Sequence, residues 1–126
     1  MYGPNQHLEK LIPRFITSTM LQEPMTIHGT GKSSRDFTYV EDLARAIDLA
    51  VHAPRAKVEG EVFNVGSGKD YSVNDIAGRI SKLMNGHTAR RKVEYTEYAL
   101  NIGDRPGQVF RHTADTRKIA RVLGWK

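Results

Sequence analysis

Residues 32 to 42 read Lys32-Ser33-Ser34-Arg35-Asp36-Phe37-Thr38-Tyr39-Val40-Glu41-Asp42. This run leaves a glycine loop, Gly29-Thr30-Gly31, and passes through one arginine into a run of strand-forming residues from Asp36 to Tyr39. It ends in two carboxylates, Glu41 and Asp42, which complement the dipole at the start of the helix predicted over Val40 to Ala53. Leu43, Ala46, Ile47, Ala50 and Val51 make the apolar stripe of that helix, and Pro54 ends it. A loop-to-strand junction that carries an arginine suits an anionic group, because the planar guanidinium can donate two parallel hydrogen bonds.

Working outward, the N-terminal side has a helix over Glu9 to Gln22, with Leu11, Ile12, Phe15, Ile16, Met20 and Leu21 near helical spacing. Pro13 falls where a helix tolerates it and Pro24 stops the run. A short strand over Met25 to His28 leads into the glycine loop. On the other side, Glu61 to Gly66 reads as a buried strand and Ser67 to Asp70 as a turn. Ser72 with Asp75 reads as a capping box at the head of a helix whose inward residues are Ile76, Ala77, Ile80 and Leu83, closed by Asn85-Gly86. Lys92 to Thr96 reads as a strand and Glu97 to His112 as a long irregular stretch. Asp115 caps a last helix to Leu123, and Gly124-Trp125 is its exit. The order is mixed α/β with short strands and about four helices.

Composition narrows the chemistry. The 126-residue chain is one domain's length, and it has no cysteine, so disulfides, thiolate metal sites and a cysteine nucleophile are excluded. The cysteine count fits a reducing, cytoplasmic setting. No apolar run is long enough to span a bilayer, and the N-terminus lacks the pattern of a signal peptide. The net charge of +5 gathers around Arg90-Arg91-Lys92 and the C-terminus. A solvated basic face explains that better than a nucleic-acid surface, because no aromatic residues interleave with the cluster.

Several motifs fail on spacing. Gly31-Lys32-Ser33 would need a glycine where Thr26 stands to be a phosphate loop, and a strand rather than a helix follows it. Gly66-Ser67-Gly68 would need a third glycine where Tyr71 stands to be a dinucleotide fingerprint. His7, His28, His52, His87 and His112 show no metal-ligand spacing. Lys10, Arg35 and Arg105 remain, the last held in Gly103-Asp104-Arg105-Pro106-Gly107, where Pro106 and Gly107 limit the loop's freedom.

Taken in order, Tyr2-Gly3-Pro4, Glu9-Lys10-Leu11-Ile12-Pro13, Gly29-x-Gly31 with Arg35-Asp36-Phe37 and Tyr39-Val40-x-Asp42, Phe63-Asn64-Val65-Gly66, Arg105-Pro106-Gly107 and Leu123-Gly124-Trp125 resemble one family. It is the NAD-dependent epimerase/dehydratase family of extended short-chain dehydrogenases/reductases, which act on nucleotide sugars. The resemblance covers nearly the whole chain and lies in the C-terminal part of those enzymes. Glu9 to Pro13 and Asp104 to Gly107 are most similar to dTDP-glucose 4,6-dehydratases.

The resemblance implies a substrate-binding set. It places Lys10 and Leu11 on the nucleotide sugar, Thr26, Ile27 and His28 on the base, and Arg35 on the diphosphate, with Asn64, Asp104, Arg105 and Gly107 completing the set. Gln108 stands where the dehydratases usually carry histidine, and His28 where they carry an aromatic. Gln108-Val109 is closer to UDP-sugar 4-epimerases and UDP-glucuronate decarboxylases, so that alternative stands.

The family's catalytic Tyr-x-x-x-Lys is absent: four positions after the tyrosines stand Gln6, Leu43, Asp75, Ala99 and Ile102. The glycine-rich NAD loop is absent too. The expectation is a single substrate-binding portion over residues 1–126, C-terminal to a Rossmann domain that lies outside it. On that expectation NAD belongs to the parent enzyme and is not bound by this chain alone, and the chain by itself is catalytically incomplete. An unpaired edge at Glu61 to Val65 would then promote self-association. A stand-alone nucleotide-sugar or nucleic-acid binding module is the competing class.

Overall fold

The computed structural model describes residues 1–87, 99–104 and 106–126. The predicted strand Lys92 to Thr96 and the Arg90-Arg91-Lys92 cluster lie outside the described residues, as does Arg105. The order is α1 (Leu11–Leu21), β1 (Met25–His28), β2 (Ser34–Asp36), α2 (Val40–His52), α3 (Arg55–Val58), β3 (Asp70–Ser72), α4 (Val73–His87), β4 (Ala99–Ile102), β5 (Arg111–His112) and α5 (Arg117–Leu123). The mixed α/β class is therefore as expected. Among the described residues no helix is long and apolar enough to cross a membrane.

The chain divides into two compact units. One comprises Met1–Pro4, Arg35–Asp70 and His112–Lys126; the other comprises Asn5–Ser34 and Tyr71–Arg111. A three-stranded sheet runs in the order β3-β2-β5.

In the first unit, Ala46 of α2, Ile119 of α5 and Trp125 form the buried core, with Leu49, Phe63, Val65 and Leu123 packed on it. Trp125 satisfies its indole N–H on the Asp42 carbonyl at 2.9 Å, which ties the C-terminus to the head of α2. Gly124 leaves α5 at φ 68°, a left-handed cap that glycine adopts at no steric cost. Tyr2 pairs with the opening stretch: its N–H donates to the Thr38 carbonyl and its carbonyl accepts from Val40, both at 2.9 Å.

In the second unit, β1 and β4 pair in parallel, Met25 opposite Ala99 through His28 opposite Ile102. Met25 and Ile27 point into the core, and α1 packs on both α4 and β1. Phe15, Ile76, Ala77 and Ile80 are the buried apolar helix residues among the described residues of this unit.

Several expectations change. Glu61 to Gly66 is extended but pairs with no strand among the described residues; Phe63 and Val65 pack inward while Val62 is 78% exposed. The α2 stripe is only partly covered, since Ile47 and Val51 face outward, and Leu83 of α4 does likewise. The helix read as ending at Asn85-Gly86 continues to His87. The turn at Ser67 to Asp70 passes into β3, and the stretch read as irregular from Glu97 to His112 contains β4 and β5. The strand expected at Asp36 to Tyr39 begins at Ser34 and ends at Asp36, because Thr38 to Val40 are engaged by Tyr2 instead.

Candidate functional site

The second unit holds a cleft of about 300 Å³, lined by His28, Thr30, Gly31, Ser33, Asp104, Gly107, Gln108 and Phe110. Its floor follows from the β1–β4 pairing. The ladder carries on past His28, because the Gly29 N–H donates to the Ile102 carbonyl at 2.8 Å. The chain then turns at Gly29 with φ 60°. A methyl group there would sit 1.8 Å from the Asp104 Oδ1, so the missing side chain is what lets the Asp104 carboxylate rest over the loop.

The head of α4 holds the other side of the glycine loop. Ser72 and Asp75 form the reciprocal capping box: the Asp75 N–H donates to Ser72 Oγ at 3.0 Å, and the Ser72 N–H donates to Asp75 Oδ2 at 2.9 Å. The hydrogen bonds from Ser72 hold the Asp75 carboxyl below its ordinary range. The next two amides of the helix donate to the loop, Val73 to the Ser33 carbonyl and Asn74 to the Gly31 carbonyl, both at 3.1 Å. Asn74 Nδ2 also donates to the Thr30 carbonyl at 3.0 Å. Loop 30–33 is thereby fixed by the helix start and not left to hinge.

Within the cleft, Gln108 Nε2 donates to Ser33 Oγ at 2.7 Å, and the Ser34 N–H donates to the Phe110 carbonyl at 2.8 Å. His28 Nδ1 lies 3.3 Å from the Gly103 carbonyl, which can only accept. The lining thus offers acceptors in the Asp104 carboxylate and the Gln108 carboxamide oxygen. The Thr30 and Ser33 hydroxyls can donate or accept, and the Phe110 ring, 69% exposed, offers a flat apolar face. Such a lining suits a polar ligand rich in N–H or O–H donors. Among the described residues no cluster of three or more His, Cys, Asp or Glu could hold a metal ion.

In the first unit, Arg35 is half-buried on β2 and Asn64 is exposed on the extended segment. Next to Arg35, the Asp36 carboxylate accepts from Ser67 N–H and Oγ at 2.7 Å each, from Gly68 N–H at 3.0 Å and from Ala114 N–H at 3.2 Å. Burial pushes the Asp36 carboxyl up, but these hydrogen bonds outweigh it and leave the group below its ordinary value. The amides of Ser67 and Gly68 are turned onto this internal carboxylate, so they do not fit the pyrophosphate of a dinucleotide. Asp115, expected as the cap, stands one residue before the cap position, Thr116, but its Oδ1 accepts from the Arg117 N–H at 3.1 Å; its pairing with the Arg117 guanidinium holds its carboxyl down to about 2.

Of the residues expected to bind, the structure brings His28, Asp104 and Gly107 around one cleft. Thr26 is half-buried on the same strand, and Ile27 is only 1% exposed, which leaves its backbone alone for a ligand. Lys10 and Leu11 stand at the head of α1 in that unit, Lys10 exposed. Arg35 and Asn64 belong to the other unit. The lining residues that the motifs did not single out as ligands are Thr30, Gly31, Ser33, Gln108 and Phe110. Only the Gly-x-Gly loop and the length of the stretch after Glu97 hinted at them.

The sequence profile described as the NAD dependent epimerase/dehydratase family matches residues 1–66. A dTDP-glucose 4,6-dehydratase of Salmonella typhimurium is 37% identical over 125 residues, covering 99% of this chain and 34% of the relative. A solved dTDP-glucose 4,6-dehydratase of Streptomyces venezuelae with NAD bound superposes with a TM-score of 0.83 at 28% identity, over 99% of this chain and 35% of that one. A UDP-glucuronic acid 4-epimerase of Bacillus cereus, solved with UDP-glucuronic acid and NAD, gives 0.84 at 27% identity, over 99% and 37%. The chain spans about a third of the length of these relatives.

Proposed function

Because the chain belongs to the NAD-dependent epimerase/dehydratase family, we propose that it is the nucleotide-sugar-binding portion of an NAD-dependent nucleotide-sugar dehydratase. The observation that carries this reading is the acceptor-rich cleft formed by His28, Asp104, Gly107 and Gln108, whose lining suits the donor groups of a base and sugar. In this reading Lys10, Leu11, Thr26, Ile27 and His28 contact the nucleotide sugar. Arg35 and Arg105 take the diphosphate as charge-assisted donors. Asn64, Asp104 and Gly107 complete the set.

NAD, when bound in the parent enzyme, supplies hydride transfer. The turn at Gly66-Ser67-Gly68 does not fit that cofactor: its Ser67 and Gly68 amides are committed to Asp36. The role of this chain is to bind and orient the sugar nucleotide.

Titration of the chain with dTDP-glucose and UDP-glucose tests the proposal. Saturable binding is expected, weakened about tenfold by Arg35→Ala and by Asp104→Ala. Absence of saturation by either ligand up to about 1 mM would sink it. Gln108 in the cleft favours a second reading, a UDP-sugar epimerase or decarboxylase, in which UDP-glucose binds more tightly than dTDP-glucose. A nucleic-acid module would show neither binding event and instead a steep salt dependence for oligonucleotides.

A further inference from the structure

We propose that Asp36 is a positioning residue whose carboxylate fixes Arg35 and Asn64 in their ligand-binding arrangement. The inference rests on the reading of those two residues as ligand groups. Its own support is the convergence of two separate chain segments, at Ser67–Gly68 and at Ala114, on one side chain of β2. Asp36 lies on β2, one residue after Arg35. Its Oδ1 receives Ser67 N–H and Oγ, and its Oδ2 receives the amides of Gly68 and Ala114. Ser67 is three residues beyond Asn64, so the segment that carries Asn64 is tethered directly to the strand that carries Arg35.

The packing around the carboxylate leaves no slack. A methyl group on Gly66 would fall 2.6 Å from Asp36 Oδ2 and 2.5 Å from the Ala114 Cβ. The backbone of residue 66 therefore has to approach the carboxylate that closely for Ser67 and Gly68 to reach it. Ser67 Oγ is pinned as well, through its hydrogen bond with the Lys69 backbone. Successive strand residues point to opposite faces, so Asp36 grips the interior framework while Arg35 is presented on the other side. The segment from Asn64 has no strand ladder among the described residues to hold it, and this carboxylate is a polar anchor at its C-terminal end.

The test titrates the whole chain with dTDP-glucose and UDP-glucose, comparing wild type, Arg35→Ala, Asp36→Asn and the double variant. Asp36→Asn is expected to weaken binding about tenfold, the size of a lost charge-assisted network. The double variant is expected to lose less than the sum of the two single losses, because the part of the effect that passes through Arg35 is already gone and only the part that passes through Asn64 remains. Additive losses would assign Asp36 to general support of the fold and overturn the proposal, as would an unchanged affinity. If Asp36→Asn does not fold, Ser67→Ala removes a single donor and is expected to cost about threefold with the same lack of additivity. If the wild type binds neither ligand, the preceding functional reading fails on its own. The positioning claim is then read from backbone nitrogen relaxation: Asp36→Asn or Ser67→Ala should mobilise Asn64 and Arg35, and unchanged order at both would overturn it.

Discussion

At the scale of single residues, two small features decide what the chain can hold. Gly29 is one. Its positive φ and the Asp104 carboxylate above it both exclude a side chain. Gly29→Ala is expected to destabilise the second unit by about 1–2 kcal/mol, the cost of a left-handed alanine, and to displace Asp104 from the cleft. Urea unfolding read by a probe in that unit checks the first effect and ligand titration the second; stability equal to wild type would refute the steric account. Asp36 is the other. Its folded carboxyl titrates below the ordinary 3.8. The stabilisation this supplies is therefore complete above the unfolded pKa and is lost as pH falls through the folded value. Thermal unfolding of wild type should weaken on acidification below pH about 4, and Asp36→Asn should show a flatter profile across that window. Parallel profiles would mean that the four donors around the carboxylate add nothing to stability.

At the scale of elements, the capping box at the head of α4 was legible from Ser72 and Asp75 because it depends on neighbours three residues apart. Ser72→Ala is expected to lower stability by about 1 kcal/mol and to loosen loop 30–33, since Val73 and Asn74 hold that loop. Chemical denaturation measures the first effect; faster amide exchange at Asn74 and Val73 reports the second, and no change in either would remove the helix start from the site's support. The helices, the strand before the glycine loop and the Gly124 exit were legible for the same local reason. What was hidden depends on distant partners. β4 is a strand because it pairs with β1, more than seventy residues away. Glu61 to Val65 has strand composition but no partner among the described residues, so it stays extended without a ladder. The cleft residues Ser33, Gln108 and Phe110 could not be found from local pattern, because their meeting is set by the ladder and by the hold of α4 on the loop. The family resemblance, by contrast, supplied His28, Asp104 and Gly107 from ordered motifs alone.

At the scale of the whole molecule, the exposed apolar surface of the first unit makes a prediction about solution behaviour. Ile47 and Val51 lie one turn apart on α2 and are 56% and 73% exposed, and Val62 on the unladdered segment is 78% exposed. The segment is held from within by Phe63 and Val65 in the core and by the Lys118–Glu61 ion pair at 2.5 Å, and it has no ladder partner among the described residues. A polypeptide that displays such an edge beside aliphatic side chains presents a template for another chain. Self-association of this chain is therefore expected, with sedimentation showing a mass that rises over a roughly hundredfold concentration range. Val62→Lys should shift the association to higher concentration, because a charge on an open edge must be desolvated before a second backbone can pair with it. Arg117→Ala, which lies in the same unit and pairs with its neighbour Asp115 on the exposed surface, is the matched control and should leave the association unchanged. A single monomeric species across the whole range, or equal behaviour of Val62→Lys and the control, would show that the extended segment is protected as it stands.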